Sequence, residues 1–258
     1  MLIQWFPGHM AKTKRLIIEH LKAVDVAAEL LDARIPLSSA NPMVEELLSG
    51  KPRIVILNKA DLADPGMTKA WESYYKRKGV AAVSMSCGNG KDKKKFLRLI
   101  KEAAGPMLEK WKRRGLKTRS ARIMILGIPN VGKSTLINFI SGTAAARTAN
   151  TPGHTRGKQW VRLSQGLDLL DTPGVLWPKF EDQVAALRLA ATGAIAGDVF
   201  DADTVVPELM RVLARTAPDA LREKYGIEDA AADPQILLAH AGKRRGCILP
   251  GGAIDYAR

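Results

Sequence analysis

From Met10 to Val24 the apolar residues Leu16, Ile17, Leu21 and Val24 recur at three- and four-residue spacing with lysines and arginine between them. This is the pattern of an amphipathic helix. Val26 to Leu31 reads as a buried strand. Glu29 inside it is an unexpected charge, predicted to face an edge, water or a partner. Asn41-Pro42 opens a short helix that ends near Gly50. Arg53 to Leu57 is the next strand, Thr68 to Lys78 a helix and Val80 to Met85 a further strand. Lys91 to Arg114 reads as a long basic helix with Phe96, Leu97, Ile100 and Leu108 on its apolar side. Gly105-Pro106 is predicted to break or kink it. Arg122 to Leu126 is a strand, and a helix runs from Lys133 to about Ile140. Lys158 to Leu163 and Leu167 to Leu170 pair as a hairpin around Gln165-Gly166. Beyond about Lys179 the chain is rich in alanine and leucine at helical spacing, with no strand-like run.

Strands alternating with helices predict an α/β fold, a mostly parallel sheet with helices on both faces. The change of pattern near Pro178 divides the 258 residues into an α/β domain, 1–178, and a small all-α C-terminal domain, 179–258. No run reaches the roughly 20 apolar residues of a membrane span. The richest stretch, Ala185 to Gly197, is interrupted by Arg188. The first ten residues lack the basic start and apolar core of a signal peptide. Cys87 and Cys247 are far apart and form no metal-ligand spacing, which suits free thiols in a reducing compartment. A cytoplasmic protein without membrane partners is expected, and a monomer.

Charge adds a partner class. The net charge is +14, and residues 1–179 hold 31 Lys and Arg against 14 Asp and Glu. Residues 180–258 hold 9 against 12, so the basic excess belongs to the first domain. Residues 91–122 alone carry 13 basic and 3 acidic side chains. A field so concentrated favours a polyanion, most simply a nucleic acid, over a solvated helix face. Lys243-Arg244-Arg245 is a second basic site. Trp111, among Lys110, Lys112, Arg113 and Arg114, is either a base-stacking residue or part of the core.

Two motifs carry the chemistry. Gly127-Ile128-Pro129-Asn130-Val131-Gly132-Lys133-Ser134-Thr135 lies between a predicted strand and helix, the context of a phosphate-binding loop. Its backbone N–H groups and the helix N-terminus would hold phosphates, with Lys133 on the β- and γ-phosphates and Ser134 on Mg2+. Asp171-Thr172-Pro173-Gly174 ends the hairpin: Asp171 can hold magnesium through water, and the Gly174 N–H can sense the γ-phosphate. Of Thr151 and Thr155 in the preceding loop, Thr155 is the better candidate to close on the metal. Asn58-Lys59-Ala60-Asp61 is a guanine-reading pattern. The Asp61 carboxylate can accept from the guanine N1–H and 2-amino group, donors that adenine lacks. Lys59 can cover the ring, Asn58 can tie this loop to the phosphate loop, and Ser86-Cys87 can meet the guanine oxygen through a backbone N–H. GTP and GDP are the ligands implied. The guanine motif precedes the phosphate loop, the reverse of the usual order, so the sheet is predicted to be circularly permuted.

That motif order, the opening Trp5-Phe6-Pro7-Gly8-His9-Met10, Asp32-Ala33-Arg34-Ile35-Pro36 followed by Asn41-Pro42, and the closing Gly246-Cys247 and Gly251-Gly252-Ala253-Ile254-Asp255-Tyr256 resemble the bacterial ribosome biogenesis GTPase A family over essentially the whole chain. The resemblance implies a circularly permuted P-loop GTPase domain with a C-terminal helical domain. It also implies a role in late assembly of the large ribosomal subunit, with ribosomal RNA and the subunit precursor as partners. Val175 stands where many small GTPases carry a water-orienting glutamine, so hydrolysis is expected to be slow unaided. The resemblance points to His9 as the substitute, with a contact to RNA or a helix cap as its other reading; His154 is the competing histidine. Asn130 either ligates K+ or shapes its loop. Two other functions stand beside this one. A nucleotide-gated RNA-binding scaffold would show no stimulated turnover, and an ATP-using enzyme would make the Asp61 motif coincidental.

Overall fold

The computed structural model describes residues 10–48, 50–115, 120–142, 159–163, 166–171, 182–195, 197, 200–253 and 255. These fall into two compact units, within 6–179 and 180–258.

In the first unit, α1 (Met10–Ala23) leads into β1 (Val26–Asp32), whose seven residues are all buried. Two short helices follow, α2 (Pro36–Ser39) and α3 (Pro42–Leu47), then β2 (Arg53–Asn58). A 3₁₀ turn, Ala60–Leu62, leads to α4 (Pro65–Arg77), β3 (Ala81–Met85) and the long α5 (Gly90–Arg113). β4 (Ala121–Gly127) and α6 (Lys133–Ser141) frame the phosphate loop, and β5 (Gln159–Leu163) and β6 (Leu167–Asp171) form the hairpin. The predicted one-helix segment after β1 is thus two, because Pro36 and Pro42 each begin a new helical turn. α4 starts at Pro65 rather than Thr68, because the Asp64 carboxylate accepts from the Met67 N–H and caps the helix there.

The six strands lie in the order β3-β2-β1-β4-β6-β5. All neighbours are parallel except the β5–β6 hairpin at the edge. On one face, Ile17 and Leu21 of α1, with Val24 just after it, pack on Ala27, Met124, Leu126 and Leu170. Tyr75 of α4 packs with Leu31, Val55 and Leu57. The residues of the other parity, Ala28, Leu30, Ile54, Ile56, Ile123 and Ile125, are equally buried. They require a second cover, which α5 and α6 supply with Phe96, Ile100, Leu136, Ile137 and Ile140.

Two expectations are corrected. Glu29 does not face an edge, water or a partner: it is 1% exposed on the central strand β1. Arg53 of the neighbouring strand reaches it, with Nε and Nη2 3.1 and 2.5 Å from Oε2, so the charge is answered inside the fold. Of the break or kink expected at Gly105-Pro106, the break does not occur: α5 continues through Pro106 to Arg113. Proline there removes one N–H, and the carbonyl left without that donor belongs to solvent-exposed Glu102, where water can serve.

The second unit contains α7 (Gln183–Ala191), α8 (Ala202–Thr216), α9 (Pro218–Tyr225) and α10 (Pro234–Arg245). Asp182, Asp201 and Asp233 cap three of them. Met210, Leu221, Ile227, Leu237 and Leu238 form its core.

Candidate nucleotide site

The chain order locates a site before any side chain is considered. From β1 the chain builds outward to β2 and β3, then returns to the opposite side of β1 to place β4, β6 and β5. The reversal lies between β1 and β4, and in open α/β sheets ligands bind beyond the carboxyl ends of strands at such a point. Register levels those ends: Leu30 is opposite Gly127, Asp32 opposite Asn58, and Asn58 opposite Met85. The phosphate loop, the Asp32 turn, the Asn58 motif and Ser86-Cys87 therefore emerge side by side.

The phosphate loop is shaped by close approaches. At Gly127, with φ +158°, a Cβ would lie 2.6 Å from the Leu30 carbonyl oxygen. At Gly132, with φ +101°, it would lie 2.5 Å from Asn58 Nδ2. The second glycine thus lets the two motifs touch. Asn58 is buried, and its Nδ2 donates to the Val131 carbonyl at 2.8 Å, across 73 positions of sequence. Lys133 opens α6 with its ammonium folded back, donating to the Ile128 and Gly127 carbonyls at 2.7 and 3.1 Å. Only 7% of Lys133 is exposed. A cation at the mouth of a glycine loop, backed by the positive end of a helix, is a ready anion site. Ser134 follows on the first turn of α6, Thr135 beside it is exposed, and Pro129 and Val131 are buried in the loop.

At the base end, Lys59 adopts a left-handed conformation with φ 59°. Its ammonium donates to Asp32 Oδ2 and to the Asn130 carbonyl, both at 3.0 Å. In this geometry it clasps the phosphate loop. Asp61, in the 3₁₀ turn, is exposed and open to a ligand. Cys87 Sγ lies 3.6 Å from Asn58 Oδ1. Burial, with the charges of Asp61 and Asp92, pushes its thiol up to about 11, so it stays protonated and uncharged near neutrality. The Ser86 N–H donates to Asp92 Oδ2 at 3.0 Å, which sets this loop against the first turn of α5.

The structure thus brings together Asn58, Lys59, Ser86, Cys87, Pro129, Asn130, Val131, Gly132, Lys133 and Ser134, with Asp61 on the 3₁₀ turn after Lys59 and Thr135 on the first turn of α6. Asp171 ends β6, on the far side of β4 from β1. His9, His154, Thr155, Gly174 and Val175 lie outside the described residues. Sequence reasoning assigned no role to Asp32, Arg34 or Asp92. Asp32 carried a usable signal, a carboxylate closing a buried strand next to the strand that delivers Asn58.

For a bound Mg2+ the fit rests on a hydroxyl at the helix N-terminus beside a phosphate cradle, which Ser134 supplies. Among the described residues there is no cluster of three or more His, Cys, Asp and Glu side chains able to hold a metal alone.

Comparison with known proteins agrees with this geometry. Residues 122–223 match the family model described as 50S ribosome-binding GTPase. The match begins in β4, the strand that leads into the phosphate loop. The chain is 46% identical over 256 residues to the ribosome biogenesis GTPase A of Bacillus licheniformis, covering 99% of this chain and 90% of that protein. It is 36% identical to the mitochondrial ribosome-associated GTPase 1 of Xenopus tropicalis, covering 94% of this chain and 80% of that one. Among solved structures, GNP-bound YlqF from T. maritima aligns with a TM-score of 0.65 at 27% identity, over 95% of this chain and 88% of that one. With close to half its residues shared along nearly its full length, the chain belongs to the ribosome biogenesis GTPase A family.

Proposed function

We propose that this protein binds GTP, hydrolyses it to GDP and phosphate, and uses that cycle in the assembly of the large ribosomal subunit. The observation that carries the reading is the 2.8 Å bond from Asn58 Nδ2 to the Val131 carbonyl, which joins the base motif to the phosphate cradle. Family membership supports the ribosomal role, and the solved neighbour with a bound GTP analogue supports the ligand.

In this reading Asp61 selects guanine, Lys59 and Asn58 brace its loop, and a backbone N–H at Ser86-Cys87 meets the guanine oxygen. The N–H groups of residues 130–135 hold the phosphates. Lys133 leaves its two carbonyl partners for the β- and γ-phosphates and balances charge as the terminal phosphate departs. Mg2+, when bound, would neutralise charge developing on the phosphates. Ser134, Asp171 and Thr155 are its proposed holders, and Gly174 reports the γ-phosphate. His9 orients the attacking water. Asn130 is the proposed K+ ligand. The basic surface of α5 and Lys243-Arg244-Arg245 face ribosomal RNA, and the protein works in the cytoplasm as a monomer.

The test is phosphate release from GTP and from ATP, each with and without large-subunit particles. GTP-selective turnover that rises with the particles is expected. GTP binding without stimulated turnover would instead identify a nucleotide-gated scaffold, and equal use of ATP would refute the role of Asp61.

A further inference from the structure

Among the described residues, two that are not glycine have positive φ, Lys59 at 59° and Asn130 at 55°. Such backbone persists where its surroundings hold it. The two are 71 positions apart in sequence, one in each nucleotide motif, yet they are bonded to each other by Lys59 Nζ and the Asn130 carbonyl at 3.0 Å. The second acceptor of that ammonium is Asp32, also at 3.0 Å.

Asp32 cannot drift. Its Oδ1 accepts from the Arg34 N–H at 3.0 Å and from Arg34 Nε at 2.9 Å, and its Oδ2 accepts from Arg34 Nη2 at 2.6 Å. Its own N–H donates to Ser39 Oγ at 3.0 Å, and the next N–H, of Ala33, donates to the Asn58 carbonyl at 2.8 Å. The Asp32 side chain is 3% exposed, so water does not compete for the carboxylate. Without it, the Lys59 ammonium, on a side chain 24% exposed, would keep one carbonyl partner and turn to solvent.

We propose that Asp32 is a positioning residue of the nucleotide site: clamped by Arg34, it holds Lys59 on the Asn130 carbonyl and so keeps the base loop and the phosphate loop in one shape before ligand arrives. The inference rests on the reading of these loops as a guanine-nucleotide site. Binding is stronger when the receptor does not have to order itself, so loss of the clamp appears as lost affinity. It acts through Lys59, which makes its effect dependent on that residue. An ion pair that served stability alone would shift the melting temperature and leave the affinity of the folded protein unchanged.

A double-mutant cycle on the full chain tests this, with the GDP dissociation constant measured by titration and the melting temperature recorded for every variant. Asp32→Asn and Lys59→Gln are each expected to weaken GDP binding about tenfold, the scale of one hydrogen bond to a charged group. The double variant is expected to lie within about twofold of the weaker single variant, because both remove one linkage. Independent, multiplying losses would overturn the proposal, as would an unchanged affinity in Asp32→Asn. If Asp32→Asn does not fold, Arg34→Gln serves, since that side chain is 29% exposed. It should loosen GDP about threefold in the parent and leave a Lys59→Gln background unaffected; an equal loss in both would overturn the proposal. A parent chain that bound no GDP would overturn the nucleotide-site reading along with it. A parent that binds GDP, with independent losses, would remove only the role of Asp32.

Discussion

Glu29 and Asp32 stand three residues apart on β1, both buried, and their proton affinities move in opposite directions. Burial raises Glu29 above its ordinary 4.5, and the Arg53 guanidinium only partly offsets that. Burial acts on Asp32 too, but hydrogen bonds from Arg34 and the charge of Lys59 outweigh it and hold that carboxyl below 3.8. The signs follow from linkage. Stability from Asp32 is complete above the ordinary value and is lost as pH falls through the lowered one. Stability from neutral Glu29 is complete below 4.5 and is lost as pH rises through the raised value. Glu29→Gln should therefore gain stability relative to the parent as pH climbs from about 4.5 to about 7, read as the difference in urea midpoints. A difference constant over that range would show that Glu29 is not raised. Sequence pattern could not place this charge, because its neutralising arginine comes from the next strand, 24 positions away. Asp61 and Lys133 needed no such partner, since their meaning lies in short motifs that carry their own local geometry.

Among elements, the strands were the most legible, because a sheet covered on both faces demands near-continuous apolar runs, and β2, β4 and, apart from Glu29, β1 supply them. Helix starts were less so: α4 begins where Asp64 caps it, a choice made by one carboxylate rather than by periodicity. α5 shows both sides of this. Phe96, Ile100 and Ala104 are fully buried along one stripe, whereas Lys91, Lys94, Arg98 and Lys101 are exposed on another. Of these Arg98 has a carboxylate partner, Glu102 at 3.7 Å, and a pair so exposed is worth little. Residues 94, 98 and 101 share one helix face, so the charge forms a line rather than a scatter. Reversing it with Lys94→Glu, Arg98→Glu and Lys101→Glu together should weaken binding to large-subunit particles tenfold or more, on the order of the cost of losing several phosphate contacts. GDP affinity should fall far less than particle binding, since these side chains are exposed and their charges are screened by solvent and salt. Sedimentation with particles and GDP titration check the two halves; particle binding at the parent level would take α5 out of the RNA-facing surface.

At the scale of the whole molecule, chain order and spatial order diverge. The base motif precedes the phosphate loop, yet the sheet order β3-β2-β1-β4-β6-β5 sets them beside each other at the reversal between β1 and β4. A nucleotide pocket depends on which strand ends are neighbours, and the connection between two such neighbours can be cut and remade elsewhere without changing them. That is why the site was readable from motifs although the positions joining them were not. The charge is a second global property: the first 179 residues carry the whole basic excess, and the remaining 79 are slightly acidic. Two ligands should then respond differently to salt. GDP, held in the proposed site by directional bonds, should lose little. Large-subunit particles, if met through the basic surface, release counterions for every phosphate neutralised. With six or more such contacts, raising salt from about 50 to about 200 mM should cut their affinity on the order of a thousandfold. Parallel titrations of the two ligands across that range decide it. A particle affinity as flat as that for GDP would mean that the contact is made by shape and neutral surface, and that the excess charge serves solubility.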